Sequence, residues 1–185
     1  MSLEHAILGF LSSRQLTGYD LKKIFDTSVR HFWAADQSQI YRTLGRLARQ
    51  GWAEMEVITQ AERPDRKVYR ITPTGRQELL NWLKSELPAE PPRSPEMIQV
   101  FFSAQLTDVQ VRAMLERVAD QMRQGLAVFD AIPKNIEAYA EFTQSPREFY
   151  FWLLTLEVGQ MTTRANLDWI ENVIQRIQDG EVPQA

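Results

Sequence analysis

The spacing of apolar residues changes at Gly51, and this change limits the possible folds more than any other feature of the sequence. Before Gly51, apolar residues recur every three or four positions in three short segments, as they do on one face of a helix. The first segment begins near Leu3, the second follows a possible helix cap at Thr17, and the third begins near Asp36 or Ser38. Three short helices in succession predict a compact trihelical core.

Beyond this point the apolar residues alternate with polar ones, which predicts strands at residues 53–59 and 67–72 and a hairpin loop at 60–66. Thr72 then suits an N-cap, and Pro73 suits the first position of a fourth helix. The predicted order of this part is therefore three helices, two strands and a helix. This order is typical of a winged helix-turn-helix, in which the two strands form the wing.

A cluster of prolines marks the boundary between two parts of the chain. Four prolines lie within residues 87–95, and each disfavours a helix at the residue before it. We therefore expect two domains, 1–86 and 96–180, joined by this linker. Residues 1–86 carry 13 Lys and Arg against 10 Asp and Glu, a net charge of +3, whereas residues 87–185 carry 8 against 14, a net charge of −6. A basic module can bind nucleic acid locally even when the whole chain is acidic.

The part after the linker has helical spacing throughout, so we expect a mainly α protein with a small two-stranded β wing and a C-terminal helical domain. Its last predicted helix runs from after Pro146 to about Gln178 and carries two apolar stripes. The first stripe has the heptad spacing of a helix packed along another helix. The second stripe consists of Phe151, Leu154, Val158, Met161, Ala165 and Trp169.

Two stripes on one helix imply two packing partners. We expect one partner to be the helix that begins at Thr107 and the other to be a second subunit. We assign a homodimer interface to the heptad stripe, at Phe149, Leu153, Leu156, Gln160, Leu167, Ile170 and Ile174. The spacing itself leaves open which of the two stripes faces the second subunit.

The third predicted helix has an apolar face for the core and an opposite face rich in Gln and Arg. Such a face suits the major groove, because Gln can pair with adenine and Arg with guanine or phosphate. Residues at the N-terminus of a recognition helix reach deepest into the groove. We therefore expect Ser38, Gln39, Tyr41 and Arg42 to contact bases and Arg46 to contact phosphates. A solvated basic face is the alternative interpretation.

The hairpin carries Arg63, Arg66 and Lys67 in or next to its loop, around a Pro-Asp turn. Three cations on a projecting loop can neutralise phosphates beside a groove that holds a helix, or they can enter a minor groove. Charged hairpin tips are also common for solubility alone. Next to a basic helix, however, this loop favours binding to double-stranded DNA.

Residues 1–86 resemble the PadR family of bacterial regulators in the stretches LEHAILGFLSSRQLTGYDL, FWAADQSQIYRTLGRLARQGWAE and RPDRKVYRITPTGRQEL. The most specific parts are the motif S-Q-I-Y-R-x-L-x-x-L-x-x-x-G and the later motif R-K-x-Y-x-I-T-x-x-G. The resemblance implies a winged DNA-binding domain, in which Gly18 and Tyr19 open the helix that crosses the DNA backbone. It extends by pattern over residues 95–178, where similar members have a helical dimerisation domain.

Several aromatic and methionine side chains could line a pocket for a small hydrophobic effector: Trp33, Phe101, Trp152, Met161 and Trp169. Side chains of these types also build ordinary cores, and the pattern does not separate the two interpretations.

Catalysis has little support in the sequence. His5 and His31 are the only histidines, they lie on separate predicted segments, and no motif completes a triad or a metal site around them. Cysteine is absent, and no phosphate-binding glycine motif occurs. We therefore expect no enzyme activity, metal or cofactor. No apolar run approaches the roughly 20 residues that cross a bilayer, so we expect a cytoplasmic protein without a membrane partner.

Together with these patterns, the resemblance implies a homodimeric transcriptional repressor that binds an inverted-repeat operator and responds to a ligand. Two alternatives remain at this point. One is a winged-helix module whose basic faces bind an acidic protein. The other is a helical protein that binds small molecules without regulated DNA binding.

Overall fold

The structure, a computed structural model, describes residues 2–30, 32–59, 65–88, 93–134, 136–140, 143 and 145–183. The chain divides into two compact units, Met1–Pro88 and Ala89–Ala185, which we call the N-terminal and C-terminal units. None of the helices within the described residues is long and apolar enough to cross a membrane.

The N-terminal unit has the winged-helix order that the sequence predicts, with one additional strand. Its elements are α1 (Ser2–Ser13), β1 (Leu16–Thr17), α2 (Gly18–Thr27), α3 (Gln37–Arg49), β2 (Ala53–Ile58), β3 (Arg66–Ile71) and α4 (Pro73–Lys84). The predicted caps are confirmed. Thr17 accepts a hydrogen bond from the Asp20 backbone at 3.0 Å, and Thr72 accepts one from the Gly75 backbone at 3.0 Å. Gly51 follows the C-terminal end of α3 and has a φ of 72°, a backbone conformation that favours glycine.

The sheet has three antiparallel strands in the order β1-β3-β2, whereas the sequence predicts only two. The extra strand, β1, places Leu16 opposite Tyr69 and Thr17 opposite Val68. Two residues are too few to show an alternating pattern, so β1 has no signature in the sequence. By pairing with β3, this strand joins the start of α2 to the wing.

The core of the N-terminal unit forms where the apolar faces of α1, α2 and α3 meet. Ile40, Leu44 and Leu47, from the apolar face of α3, are fully buried. Burial of side chains of this size contributes about 1.5–3 kcal/mol each to the stability of the fold. Because these residues face the core, the opposite face of α3 faces solvent.

The C-terminal unit is helical, as predicted. Its elements are α5 (Pro95–Phe101), a short 3-10 helix (Ser103–Gln105), α6 (Asp108–Ala131), a second 3-10 helix (Ile136–Tyr139) and α7 (Pro146–Gln178). The helices α6 and α7 pack in antiparallel directions. Arg123 Nη2 lies 2.6 Å from Glu171 Oε1, while further along α6 Asp130 Oδ1 accepts a hydrogen bond from Gln160 Nε2 at 3.0 Å.

The heptad stripe of α7 packs largely within the chain, and our assignment of this stripe to a dimer interface stays a prediction. Leu167 and Ile170 are buried in a cluster with three residues of α6, and Ile174 packs against the same cluster. The other residues that we assigned to the dimer interface are also buried, half-buried or in contact with residues of the same chain. Phe149 lies 5.6 Å from Tyr139 between ring centres, Leu156 is buried, Leu153 is half-buried and Gln160 binds Asp130.

The second stripe remains exposed on the opposite side of α7. Its exposed members include Phe151, Leu154, Val158, Met161 and Trp169. Val158 and Met161 are 65% and 64% exposed, a high value for apolar side chains that recur on one helix face. Since the spacing of the two stripes is equally regular, only the fold separates their roles.

Candidate nucleic-acid interface

The helix α3 begins with a reciprocal cap that engages two of the predicted base-contacting residues. The Asp36 carboxylate oxygen Oδ1 accepts hydrogen bonds from the Gln39 backbone at 2.7 Å and from the Ser38 hydroxyl at 2.6 Å. In return, Gln39 Oε1 accepts a hydrogen bond from the Asp36 backbone at 3.0 Å. The hydrogen bonds from Ser38 and Gln39 lower the pKa of Asp36 below its ordinary value.

The exposed face of α3 carries the predicted contacts in a nearly continuous row. Ser38, Gln39, Tyr41 and Arg42 are all exposed. Arg42 Nε donates a hydrogen bond to the Ser38 carbonyl at 3.3 Å, so its guanidinium group lies along the first turn of the helix. The arrangement places hydrogen-bonding side chains at the helix N-terminus, where a recognition helix reaches furthest into a major groove.

Arg46 has a role in the fold that the sequence does not reveal. Its guanidinium group forms an ion pair with Glu4 of α1, whose side chain is only 8% exposed. A buried carboxylate is costly without a partner, so Arg46 stabilises the contact between α1 and α3. The phosphate contact that we assigned to Arg46 stays a prediction, and phosphate would have to compete with Glu4 for this side chain.

The loop end of the wing is joined to the first turn of α2 through Asp20. Asp20 Oδ2 accepts hydrogen bonds from Arg66 Nη2 at 3.1 Å, from the Thr17 backbone at 3.0 Å and from the Thr17 hydroxyl at 2.7 Å. Burial alone would raise the pKa of Asp20, but the hydrogen bonds from Thr17 and Arg66 outweigh it and lower the pKa. Lys67 is exposed beside Arg66, and Arg63 lies outside the described residues.

Tyr41 of α3 covers the start of α2 because residue 18 has no side chain. A Cβ atom at Gly18 would lie 2.5 Å from Tyr41 Cε1 and 2.6 Å from Tyr41 Cζ. The Tyr41 ring also lies near Tyr69, and burial, with a smaller contribution from Tyr41, raises the pKa of Tyr69. Close packing of α2 and α3 therefore depends on glycine at position 18.

A shallow pocket brings four of the predicted DNA contacts together. Its volume is about 450 Å³, and its lining residues are Thr17, Tyr19, Asp20, Tyr41, Asp65, Arg66 and Lys67. Tyr19 is 68% exposed at its rim. The sequence predicts the tyrosines and cations of this set but misses Asp20 as the partner of Arg66. The only sequence signal for Asp20 is its position three residues after the cap Thr17, which predicts a helix start and not a contact with the wing.

We expect Gly18→Ala to weaken specific DNA binding about tenfold, because the new methyl group would displace the Tyr41 ring from its position on α2. The ring is 42% exposed and can move outward, so the unfolding free energy should fall by only about 1 kcal/mol. Fluorescence anisotropy with a specific duplex measures the first effect. On a Tyr41→Ala background, Gly18→Ala should cause no further loss, and a full additional loss would show that Tyr41 is not the mediator.

The residues that we assigned to an effector pocket are found in both units. In the N-terminal unit, Trp33 is 38% exposed. In the C-terminal unit, Phe101 is 80% exposed, the Trp152 ring lies 6.4 Å from the Tyr139 ring, and Met161 and Trp169 belong to the exposed stripe of α7. The pocket stays a prediction.

His5 has a structural environment. Its side chain is buried, its ring stacks on Trp82 with centres 4.6 Å apart, and its Nε2 lies 3.2 Å from Glu78 Oε1. These contacts hold α1 against α4. His31 lies outside the described residues, and among those described no group of three or more histidines and carboxylates is arranged to hold a metal ion.

Two family profiles match the chain, one in each unit. Residues 7–81 match the Transcriptional regulator PadR-like family, and residues 92–178 match the family described as Virulence activator alpha C-term. The chain is 30% identical over 191 residues to the "Probable transcriptional regulator Rv1176c" of Mycobacterium tuberculosis, covering 97% of this chain and 99% of the relative.

Bacillus subtilis supplies further similar proteins. Its "Negative transcriptional regulator PadR" is 26% identical over 176 residues, covering 95% of this chain and 97% of the relative. The crystal structure of PadR in complex with operator DNA has a TM-score of 0.80 at 25% identity, covering 96% of this chain and 99% of that chain. The complex of PadR with p-coumaric acid has a TM-score of 0.72 at 24% identity, covering 96% and 99%.

Proposed function

This chain belongs to the PadR-like family of transcriptional regulators, and we propose that it acts as a homodimeric repressor that binds an inverted-repeat operator in double-stranded DNA. The observation that carries the proposal is the exposed face of α3, which lies against the start of α2 through Tyr41, while Asp20 and Arg66 join the start of α2 to the wing. A relative is named as a negative regulator, and its structure was solved with operator DNA. We assign the chain no catalytic role and place it in the cytoplasm, where bacterial DNA lies.

The division of roles within the interface follows from geometry. Arg42 lies along the first turn of α3, where a guanidinium group can reach a guanine edge. Arg66 and Lys67 lie at the start of β3, next to the hairpin loop of the wing, where side chains can reach phosphates beside the groove. Arg42 therefore contributes sequence preference, and Arg66 and Lys67 contribute affinity for any duplex.

The dimer in this proposal forms through the exposed second stripe of α7. A row of exposed apolar side chains on one helix face is typical of a protein interface, and the opposite stripe is already occupied by α6. Two recognition helices related by a two-fold axis would contact half-sites about 10 bp apart, or a multiple of that distance. An inverted repeat matches this symmetry.

The interface proposal predicts different losses for two arginine substitutions. Arg42→Ala should weaken binding to the operator by roughly 1–3 kcal/mol and leave binding to bulk DNA nearly unchanged. Arg66→Ala should weaken both, because it removes a cation and leaves the Asp20 carboxylate unpaired beside the phosphates; it should also reduce the slope of log affinity against log salt by about 1. Anisotropy titrations at several salt concentrations measure both effects.

Arg176→Ala is the matched control, since Arg176 pairs with Glu181 near the end of α7, outside the proposed interface. It should change neither affinity. Equal losses for Arg42→Ala and Arg66→Ala would contradict the division of roles. If no genomic sequence competed better than bulk DNA against the wild-type protein, the chain would instead be a protein-interaction module.

We also propose that a small effector regulates DNA binding. The support is the aromatic composition of the C-terminal unit and the complex of a relative with p-coumaric acid. An effector must change operator affinity when it binds, whereas a carrier protein would bind the same molecule without this coupling. A titration of operator affinity against candidate aromatic acids separates the two.

A further inference from the structure

Gln39 presents its side-chain amide to solvent in a fixed orientation. The amide oxygen Oε1 accepts a hydrogen bond from the backbone of Asp36 at 3.0 Å, and the backbone of Gln39 donates to Asp36 Oδ1 at 2.7 Å. The oxygen is therefore directed toward the N-terminus of its own helix. The Nε2 amino group, which carries two hydrogen-bond donors, is on the other side of the amide.

This orientation is incompatible with the usual contact between glutamine and adenine. In that contact the amide oxygen accepts from the adenine N6 amino group while the amide nitrogen donates to N7, so both amide atoms must face the base edge. Although an amide oxygen has two acceptor sites, an oxygen held by the Asp36 backbone cannot turn toward a base edge together with the amide nitrogen, so the amide presents its donors to DNA. Guanine presents two adjacent acceptors, N7 and O6, in the major groove, and adenine presents an amino group in the place of O6.

Two further contacts organise the same turn of α3. The Ser38 hydroxyl donates to the same Asp36 oxygen at 2.6 Å, and Arg42 Nε donates to the Ser38 carbonyl at 3.3 Å. The Asp36 carboxylate is ionised at neutral pH, the hydrogen bonds that it accepts lower its pKa further, and a charged acceptor makes the stronger hydrogen bond. The first turn of α3 is thus organised before any DNA binds, so that turning the Gln39 amide would break a cap shared by several groups.

We propose that Gln39 determines specificity by donating only, and that it selects a guanine in each half-site. The inference rests on the proposed function, because it concerns the same interface of α3 with DNA. It reverses the expectation from the sequence, in which the glutamine at this position pairs with adenine. The cap residue Asp36, which need not touch DNA itself, thereby sets the base preference of its neighbour.

Gln39→Glu tests the proposal in the full-length protein. A glutamate at this position still offers an oxygen to the Asp36 backbone, so the reciprocal cap is kept, but the side chain no longer has a donor. Carboxylates accept from the cytosine N4 amino group. In a selection from a random duplex library, the variant should replace guanine with cytosine at one position of each half-site and keep every other position. Its affinity for the wild-type operator should fall about tenfold.

Two controls separate this effect from loss of fold and from added charge. Gln39→Ala should remove the preference at the same position without creating a new one, and circular dichroism and thermal melting should show that both variants fold. Gln50→Glu introduces the same charge at the exposed C-cap of α3 and should leave the selected sequence unchanged.

The outcomes distinguish this proposal from the function on which it rests. An A·T pair, in either orientation, at the position that depends on Gln39 would overturn the proposed selection of guanine. A wild-type motif that no Gln39 variant alters would overturn the role of Gln39 while leaving DNA binding intact. If the wild-type protein enriched no sequence at all, the proposed regulator itself would fail.

Discussion

Replacement of Gly75 by alanine should reduce the unfolding free energy of the N-terminal unit by about 3 kcal/mol. A Cβ atom at this position would lie 2.0 Å from the carbonyl oxygen of Trp52 and 2.8 Å from its carbonyl carbon. The obstacle is backbone, and it is held in place because the same carbonyl oxygen accepts a hydrogen bond from the Thr72 backbone at 3.0 Å. Neither α4 nor the chain after α3 can move without breaking this contact.

Hydrogen exchange of the α3 and β3 amides resolves the stability of the N-terminal unit from that of the C-terminal unit. The matched control is Gly9→Ala in the middle of α1, where a Cβ would meet no atom within 4 Å. This control should stabilise the unit by roughly 0.5–1 kcal/mol, since alanine is the better helix former. Similar changes for both variants would show that the contact with Trp52 does not restrict position 75.

The second large effect is expected when aspartate replaces an apolar residue on either of the two stripes of α7. Ile170 is 2% exposed in the cluster between α6 and α7, so Ile170→Asp would bury a charge and remove apolar packing. A loss on the order of 4 kcal/mol or more should follow, and the C-terminal unit should lose its cooperative melting transition. Val158→Asp, on the exposed stripe, should instead give a folded monomer.

Sedimentation and circular dichroism measure assembly and folding separately. Gln175→Glu adds a negative charge on a flank of α7, between the stripes, and should leave both the dimer and the fold intact. A dimer that survives Val158→Asp would place the interface on another surface. A charge at Leu156, which is 6% exposed, should likewise unfold the C-terminal unit and not merely separate two subunits.

The features that could be predicted from the sequence are those determined by residues close together in the chain. The caps at Thr17, Asp36 and Thr72 are local, because each side chain binds a backbone group three residues ahead. The apolar face of α3 is likewise a local pattern, and it determines which side of the helix faces solvent. The helix order and the position of the candidate interface follow from these signals.

The features that could not be predicted depend on partners distant in the sequence. Arg66 and Asp20 are 46 residues apart, and neither shows by its type or spacing that the other is its partner. The strand β1 forms only because β3 lies beside it. The two stripes of α7 have similar periods, so that spacing alone cannot show which one meets α6.

The ion pairs of the N-terminal unit also bear on how quickly the protein can find its operator. Arg46, Arg66 and Arg70 each have a carboxylate partner, in Glu4, Asp20 and Glu54 respectively. A phosphate must displace or share these partners, so random DNA gains less from each arginine than the count of cations suggests. Weak attachment to wrong sequences shortens the time spent on each of them, and the base contacts of α3 then decide where the protein stays.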